Sequence, residues 1–229
     1  MSEHDTKVKA NHNDIEESCM KDYEELSEQD LRIQLAASYR LVEKLGWSYL
    51  IFGHLTARVP GPEKHFLINP YGLMYDEVTA SNLVKIDLEG NIVEPSDWEV
   101  NPAGFIIHSA IHSSKSNAHC VMHTHTNAGM AMAALKQGLI NIDFNGSAFH
   151  NKVAYHNFEV VTLRKDECKR IADDLGEKSI MIVRNHGLLT SGTTVAEDFM
   201  KLQLLERSCK VQLMARACGE TLDVGTCKC

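Results

Sequence analysis

Cys120-Val121-Met122-His123-Thr124-His125-Thr126 decides the reading of this chain, together with Arg184-Asn185-His186-Gly187. Each stretch follows a short apolar run of strand character, the second one Ile180-Met181-Ile182-Val183. On a strand, residues two apart point to the same face. His123 and His125 therefore present two imidazoles side by side. His186 adds a third, in an Asn-His-Gly turn for which Gly187 is expected to supply the backbone freedom. Three neutral imidazoles converging on one point make a site for a divalent ion with an open coordination position, which is a catalytic arrangement rather than a closed structural one. Two strand histidines alone are as readily hydrogen-bonded core residues. The third, arriving from a second buried strand, makes the pair a candidate metal centre.

Length and composition bound what surrounds this centre. A chain of 229 residues fits one domain. The net charge is −8, and no cluster of Lys and Arg breaks the acid excess. That pattern excludes a nucleic-acid partner and an anionic membrane surface. The segment from Met1 to Glu28 is polar and acidic with no apolar core, so it is not read as a secretory leader. No apolar stretch is long enough to span a bilayer. The seven cysteines are odd in number and scattered, which reads as intracellular thiols and a cytoplasmic protein rather than a disulfide framework. Cys227 and Cys229 are read as part of a frayed tail rather than a soft-metal site.

Residues 1–27 show no hydrophobic periodicity and are expected to be a flexible segment, as are residues 219–229, with one domain over 28–218. Ser27-x-x-Asp30 resembles a capping box opening a helix that carries Leu31, Leu35, Val42 and Leu45, stopped by Gly46. Leu55 to Val59 and Phe66 to Asn69 read as strands split by Pro60-Gly61-Pro62. Thr79 to Asn82 suggests a short helix, and Leu83 to Val93 a hairpin. Asn101-Pro102 starts a helix bearing Phe105, Ile106, His108 and Ile111. Helices are also expected over Thr126 to Lys136, closed by Gly138, and Leu163 to Leu175, closed by Gly176. Residues 139–162 read as mixed strand and loop, and Ser179 to Arg184 as a strand. Thr194-x-x-Glu197 caps a final long helix with Phe199, Leu202, Leu205, Cys209 and Leu213 on one face.

Strands and helices interleave with no linker between them. The fold class is therefore α/β, a three-layer α/β/α sandwich around a mixed, largely antiparallel sheet. No G-x-G-x-x-G follows any strand, so no dinucleotide site is inferred.

From about Leu31 to Cys218 the chain resembles the class II aldolase/adducin family. The resemblance is carried by Leu67-Ile-Asn-Pro-Tyr-Gly72, Asn101-Pro-Ala-Gly-Phe-Ile-Ile-His108, Val121-Met-His-Thr-His125 and Ile182-Val-Arg-Asn-His-Gly-Leu188. It implies a sheet sandwiched by helices, a ring-like homotetramer with active sites at subunit boundaries, and a small-molecule substrate. In sugar-phosphate members, such as fuculose-phosphate aldolase, it implies zinc or a similar ion on histidines that match His123, His125 and His186. Zn2+ is the first expectation, with Mn2+ and Fe2+ as alternatives.

The departures bear on chemistry. Phosphate-sugar aldolases open the helix before H-x-H with Ser-Ser-Glu, where the serines hold phosphate and the Glu is the acid/base. Here the same places read Pro102-Ala103-Gly104. His54 replaces an Asn that holds phosphate, only Thr56 keeps a hydroxyl there, and a Thr-Gly phosphate loop becomes Tyr71-Gly72. Phosphate needs several convergent donors, so a substrate without phosphate is expected. The Asn-Pro-Ala-Gly-Phe pattern is closest to the adducin-like branch, which includes many bacterial proteins.

Three histidines are candidates to replace the missing Glu, since imidazole titrates near neutrality. His108 stands one helical turn past Gly104. His150 and His156 lie in the region that relatives bring in from a neighbouring subunit. Each is equally readable as a core or surface histidine. His54, Tyr71, Gly72 and Tyr155 are candidate substrate contacts. A three-histidine ion can chelate a hydroxycarbonyl or keto acid and stabilise an enolate, which points to an aldolase- or decarboxylase-type lyase. The alternatives are a non-haem iron oxygenase, although the common iron triad includes a carboxylate, and an adducin-like binding module without turnover.

Overall fold

The computed structural model describes residues 22–157, 159 and 165–219. Seven strands, β1 (His54–Arg58), β2 (Phe66–Ile68), β3 (Val84–Ile86), β4 (Cys120–Thr124), β5 (Val153–His156), β6 (Ile180–Val183) and β7 (Gly187–Gly192), form one sheet in the order β3-β2-β1-β4-β7-β6-β5. All neighbours pair antiparallel except β5 and β6. Among the described residues six α-helices accompany them: α1 (Glu28–Lys44), α2 (Pro102–Ser114), α3 (Asn127–Ala134), α4 (Phe144–Ser147), α5 (Lys165–Leu175) and α6 (Val195–Ala217).

The alternation of the strands sorts side chains onto two faces. Leu55, Ala57, Met122, Ile180, Ile182 and Leu188 pack with Leu31, Leu35, Leu202 and Leu205 of α1 and α6. The intervening positions Val121, Ala154, Met181, Val183 and Leu189 pack with Ile107, Ile111, Ile171 and Leu175 of α2 and α5. The result is the expected α/β/α sandwich with a mixed, mainly antiparallel sheet.

The helix starts follow the sequence signals. Ser27 Oγ accepts from Asp30 N at 3.1 Å while the Asp30 carboxylate accepts from Ser27 N at 3.0 Å. Thr126 and Thr194 cap α3 and α6 through Gly129 N and Glu197 N. Each cap satisfies an amide that the helix leaves open, contributing about 1 kcal/mol.

Several expectations change. Thr79–Asn82 is a turn rather than a helix: Asn82 N and Thr79 N bond reciprocally to the Thr79 and Asn82 side chains as at a helix start, but the chain leaves directly into β3 at Val84. The expected hairpin over Leu83 to Val93 is present in short form: β3 turns over Asp87–Asn91 and returns through the Ile86–Ile92 bridge, with Val93 N donating to Lys85 O at 3.0 Å. Leu45 caps α1 in an exposed position instead of joining the core. Residues 139–162 contain the short α4, capped by Asp143. Gly187 opens a further strand, β7, beyond the strands expected from the sequence. The parts of the expected flexible segments at 1–21 and 220–229, with Cys227 and Cys229, lie outside the described residues, as do the first two residues of the helix expected from Leu163.

Candidate metal centre

β4 ends at Thr124, so His123 lies on the strand and His125 just beyond it. His186 sits in the tight turn between β6 and β7. The turn works differently from the expectation. Asn185, not Gly187, takes the left-handed conformation, at φ 55°. Gly187 is needed for room, since a Cβ there would stand 2.4 Å from Thr124 O and 3.1–3.3 Å from the rings of His125 and His123.

The three imidazoles meet through their Nε2 atoms. His123 and His125 Nε2 are 2.8 Å apart, and His123 and His186 Nε2 are 3.3 Å apart. His123 Nδ1 lies 2.8 Å from Leu188 O. A carbonyl only accepts, so Nδ1 carries the proton and Nε2 is left with a bare lone pair aimed at the other two rings. Burial pushes the titration of His123 well below the ordinary imidazole value, and His125 and His186 add to the shift. Burial, then His186, brings His125 down to about 4. Burial, then His156, lowers His186. All three are neutral near pH 7, the form a metal ligand requires. Tetrahedral zinc with nitrogen ligands separates them by about 3.4 Å; the His123–His186 spacing of 3.3 Å matches this, and the His123–His125 spacing of 2.8 Å is closer than such an ion would hold. His123 is buried, whereas His125 and His186 are half-buried, which leaves one side of the cluster open to solvent.

A second polar group stands behind the triad, between β1 and α2. Four helical residues advance about 6 Å and two strand residues about 6.7 Å. Gly104, His108 and His112 therefore step in phase with His54, Thr56 and Arg58. Arg58 donates to His112 O. His112 Nδ1 donates to Ala118 O at 2.9 Å, so its Nε2 accepts from the Thr56 hydroxyl at 2.8 Å. Thr56 Oγ1 in turn accepts from His108 Nδ1 at 2.7 Å, while Val121 O, at 3.4 Å, is its weaker acceptor. This chain of bonds fixes His108 with an unprotonated Nε2, which is buried without a hydrogen-bond partner. Burial and then His54 hold the His108 imidazole far below its ordinary titration range.

His54 lies directly opposite His123 in the β1–β4 register, on the same face. Its Nε2 is also buried and unpartnered. Burial, then His125, pushes its titration down to about 3. The ring fills the space beside Gly104, where a Cβ would fall 2.4 Å from both His54 Cε1 and Nδ1. His54, rather than His108, thus takes the place of a side chain at 104.

The remaining candidates scatter. Tyr71 and Gly72 follow β2 at the sheet end that carries His54 and His125, and both are exposed. His156 ends β5 and is tied to α5, with Nδ1 2.7 Å from Asp174 Oδ2 and Nε2 3.5 Å from Glu167. His150 and Tyr155 line a cleft with Leu139, Ile140, Phe149 and Lys178 that does not include the triad. Tyr155 has a structural task there. Its hydroxyl accepts from Leu139 N at 3.0 Å, and Arg184 lies 4.1 Å above its ring. His112 was not among the candidates, although its spacing of four from His108 placed it on the same helix face.

The sheet order, the layers and the three-histidine cluster define a class II aldolase-type domain. Residues 33–213 match the family model described as Class II Aldolase and Adducin N-terminal domain, and the chain belongs to this family. It is similar to the crystal structure of an aldolase II superfamily protein from Pseudomonas syringae, at 47% identity and TM-score 0.83 over 85% of this chain and 79% of that one. It is also similar to L-fuculose 1-phosphate aldolase from Glaciozyma antarctica PI12, at 34% identity and TM-score 0.78, over 86% and 77% of the two chains. Alpha-adducin of Rattus norvegicus is 44% identical over 82% of this chain, which corresponds to 26% of the adducin. Among the described residues, no helix is long and apolar enough to cross a membrane.

Proposed function

We propose that the chain is a metal-dependent lyase of the aldolase or decarboxylase type, acting on a small carbonyl or carboxylate substrate without phosphate. The observation that carries this reading is the convergence of the His123, His125 and His186 ring nitrogens, with His123 Nδ1 turned onto Leu188 O so that its Nε2 faces the other two. A divalent ion held by these three histidines, with Zn2+ expected first and Mn2+ or Fe2+ as alternatives, supplies Lewis acidity to a substrate oxygen. Burial keeps the imidazoles neutral and ready to ligate. The hydrogen-bond chain through His112 and Thr56 orients His108. Its deep burial makes His108 a weak base, so its part is to accept a hydrogen bond rather than store a proton. Pro102 and Gly104 leave the mouth of α2 without the hydroxyl and carboxylate that phosphate-sugar chemistry uses. By family likeness we assign a homotetramer, in which a neighbouring subunit brings the exposed His150 to the site, while Tyr155 and His156 stay bound within their own subunit.

The test is reconstitution with each metal, followed by assay on 2-keto acids, hydroxyketones and L-fuculose 1-phosphate. About one ion per chain and turnover on an unphosphorylated compound are expected. Turnover of roughly 1–1000 per second on the phosphate would overturn the substrate assignment. The likeness to alpha-adducin favours a second reading, a binding module. Stoichiometric metal binding without turnover on any of these compounds would move the assignment there, and iron with oxygen consumption would move it to an oxygenase.

A further inference from the structure

We propose that His54 is the specificity-determining residue of this site: lodged in the space that Gly104 leaves, it recognises a hydroxyl on the substrate carbon next to the metal-chelating group. The inference rests on the lyase reading of the triad and deepens it.

Three observations support it. The β1–β4 register sets His54 directly opposite His123, and cross-strand neighbours on one face stand about 4.5–5.5 Å apart at Cβ. His54 is therefore the polar side chain on β1 beside the ligands, whereas the Thr56–His108 bond lies two strand residues further in, about 6.7 Å. Second, the ring is held from behind. Gly104 lies against the imidazole itself, so a side chain at 104 and an imidazole at 54 exclude one another. Third, His54 is only 5% exposed and its Nε2 has no hydrogen-bond partner. A buried polar atom left unsatisfied costs stability unless a ligand completes it. A hydroxyl suits this atom in either tautomer, because it both donates and accepts.

The experiment compares glycolohydroxamate with acetohydroxamate, which chelate a metal alike and differ by one hydroxyl. Their Kd values are measured by calorimetry on the zinc-loaded protein. Glycolohydroxamate is expected to bind about 10-fold more tightly, the worth of one good hydrogen bond at a buried partner. In His54→Phe, and in His54→Leu should the larger side chain not fit, the two affinities are expected to fall within about 2-fold of each other. Zinc content should stay unchanged in both variants. His54→Gln, which keeps a donor and an acceptor at similar reach, should restore discrimination. Gly104→Ala should weaken it by displacing the ring. Equal affinities in the wild-type protein, or discrimination that survives removal of His54, would overturn the assignment while leaving the metal centre standing. Failure of both hydroxamates to bind would remove the open coordination position, and the lyase reading would fall with it.

Discussion

The two faces of the sheet are built from different chemistry. Beneath α1, α3 and α6 the core closes around fully buried Leu31, Leu35, Met122, Leu202 and Leu205, with Asp198, Glu206 and Gln212 of α6 among the polar groups buried beside them. Beneath α2, the same depth of burial holds His54, Thr56, His108, His112 and His123. The first face follows the rule that apolar surface leaves water at about 25 cal/mol per Å2. The second gains less from burial, and spends donors and acceptors on fixing tautomers. The difference teaches that strand alternation confines the histidine layer to the α2 side of β1 and β4, while Val121, Met181 and Leu189 keep the rest of that side apolar against α2 and α5. Neighbouring residues of β4, Met122 and His123, serve opposite sides.

The sharpest way to break this separation is at the triad. His125→Ala should abolish stoichiometric metal binding, a loss of more than the roughly 100-fold seen when supporting groups around ligands are removed. The metal-free fold should keep its unfolding midpoint, because the half-buried His125 adds little to the apolar core. Elemental analysis after dialysis, beside denaturant unfolding, measures both. Full metal retention in the variant would end the assignment of His123, His125 and His186 as ligands.

Leu202→Ala tests the other face. Leu202 is fully buried in the larger core. Its truncation should cost about 2–5 kcal/mol of folding stability and leave the metal stoichiometry at the wild-type value. If metal binding fell with stability when measured well below the unfolding transition, the two faces would be coupled and the separation wrong.

Sequence made the first face legible and left the second half-read. Heptad-like spacing from Leu31 to Val42 and from Leu202 to Cys209, the Ser27 and Thr194 caps, and the strand alternation are local signals, and the structure carries each of them. His123, His125 and His186 were visible for the same reason: two share a strand period and the third ends a buried run. What local patterns could not supply was registration between distant elements. That His54 faces His123, and that its ring rests where a side chain at 104 would be, depends on how β1 pairs with β4 and how α2 lies across β1. Gly187 likewise depends on distant elements. Its role is the approach of Thr124 O and the triad rings rather than its own φ.

Acid should affect the faces differently. Burial pushes His54 and His112 down to about 3, against about 6.5 in an unfolded chain. Above pH 6.5 both states are neutral at these groups and stability is flat. As pH falls from 6.5 toward 3, the unfolded state takes up protons that the folded state refuses, so each group removes about 1.4 kcal/mol per pH unit. Denaturant midpoints at pH 7, 6 and 5 should therefore decline in the metal-free protein. His112→Gln should flatten the slope, whereas Leu202→Ala should lower every point by the same amount. A slope unchanged in His112→Gln would mean that the polar layer already takes up protons when folded.

The smallest effect is the most local. Gly104 lies in the first turn of α2, and a glycine inside a helix costs up to about 1 kcal/mol relative to alanine. Gly104→Ala alone should nevertheless destabilise the protein, because the new methyl would stand 2.4 Å from His54 Cε1 and the ring must move. In a His54→Ala background that obstacle is gone, and the same substitution should stabilise by up to about 1 kcal/mol. The change of sign, read from a double-mutant cycle of unfolding free energies, isolates the contact between the two positions from the helix preference at 104. Additive effects would show that Gly104 and His54 do not share the space. The polar face would then owe its glycine to something other than the imidazole packed against it.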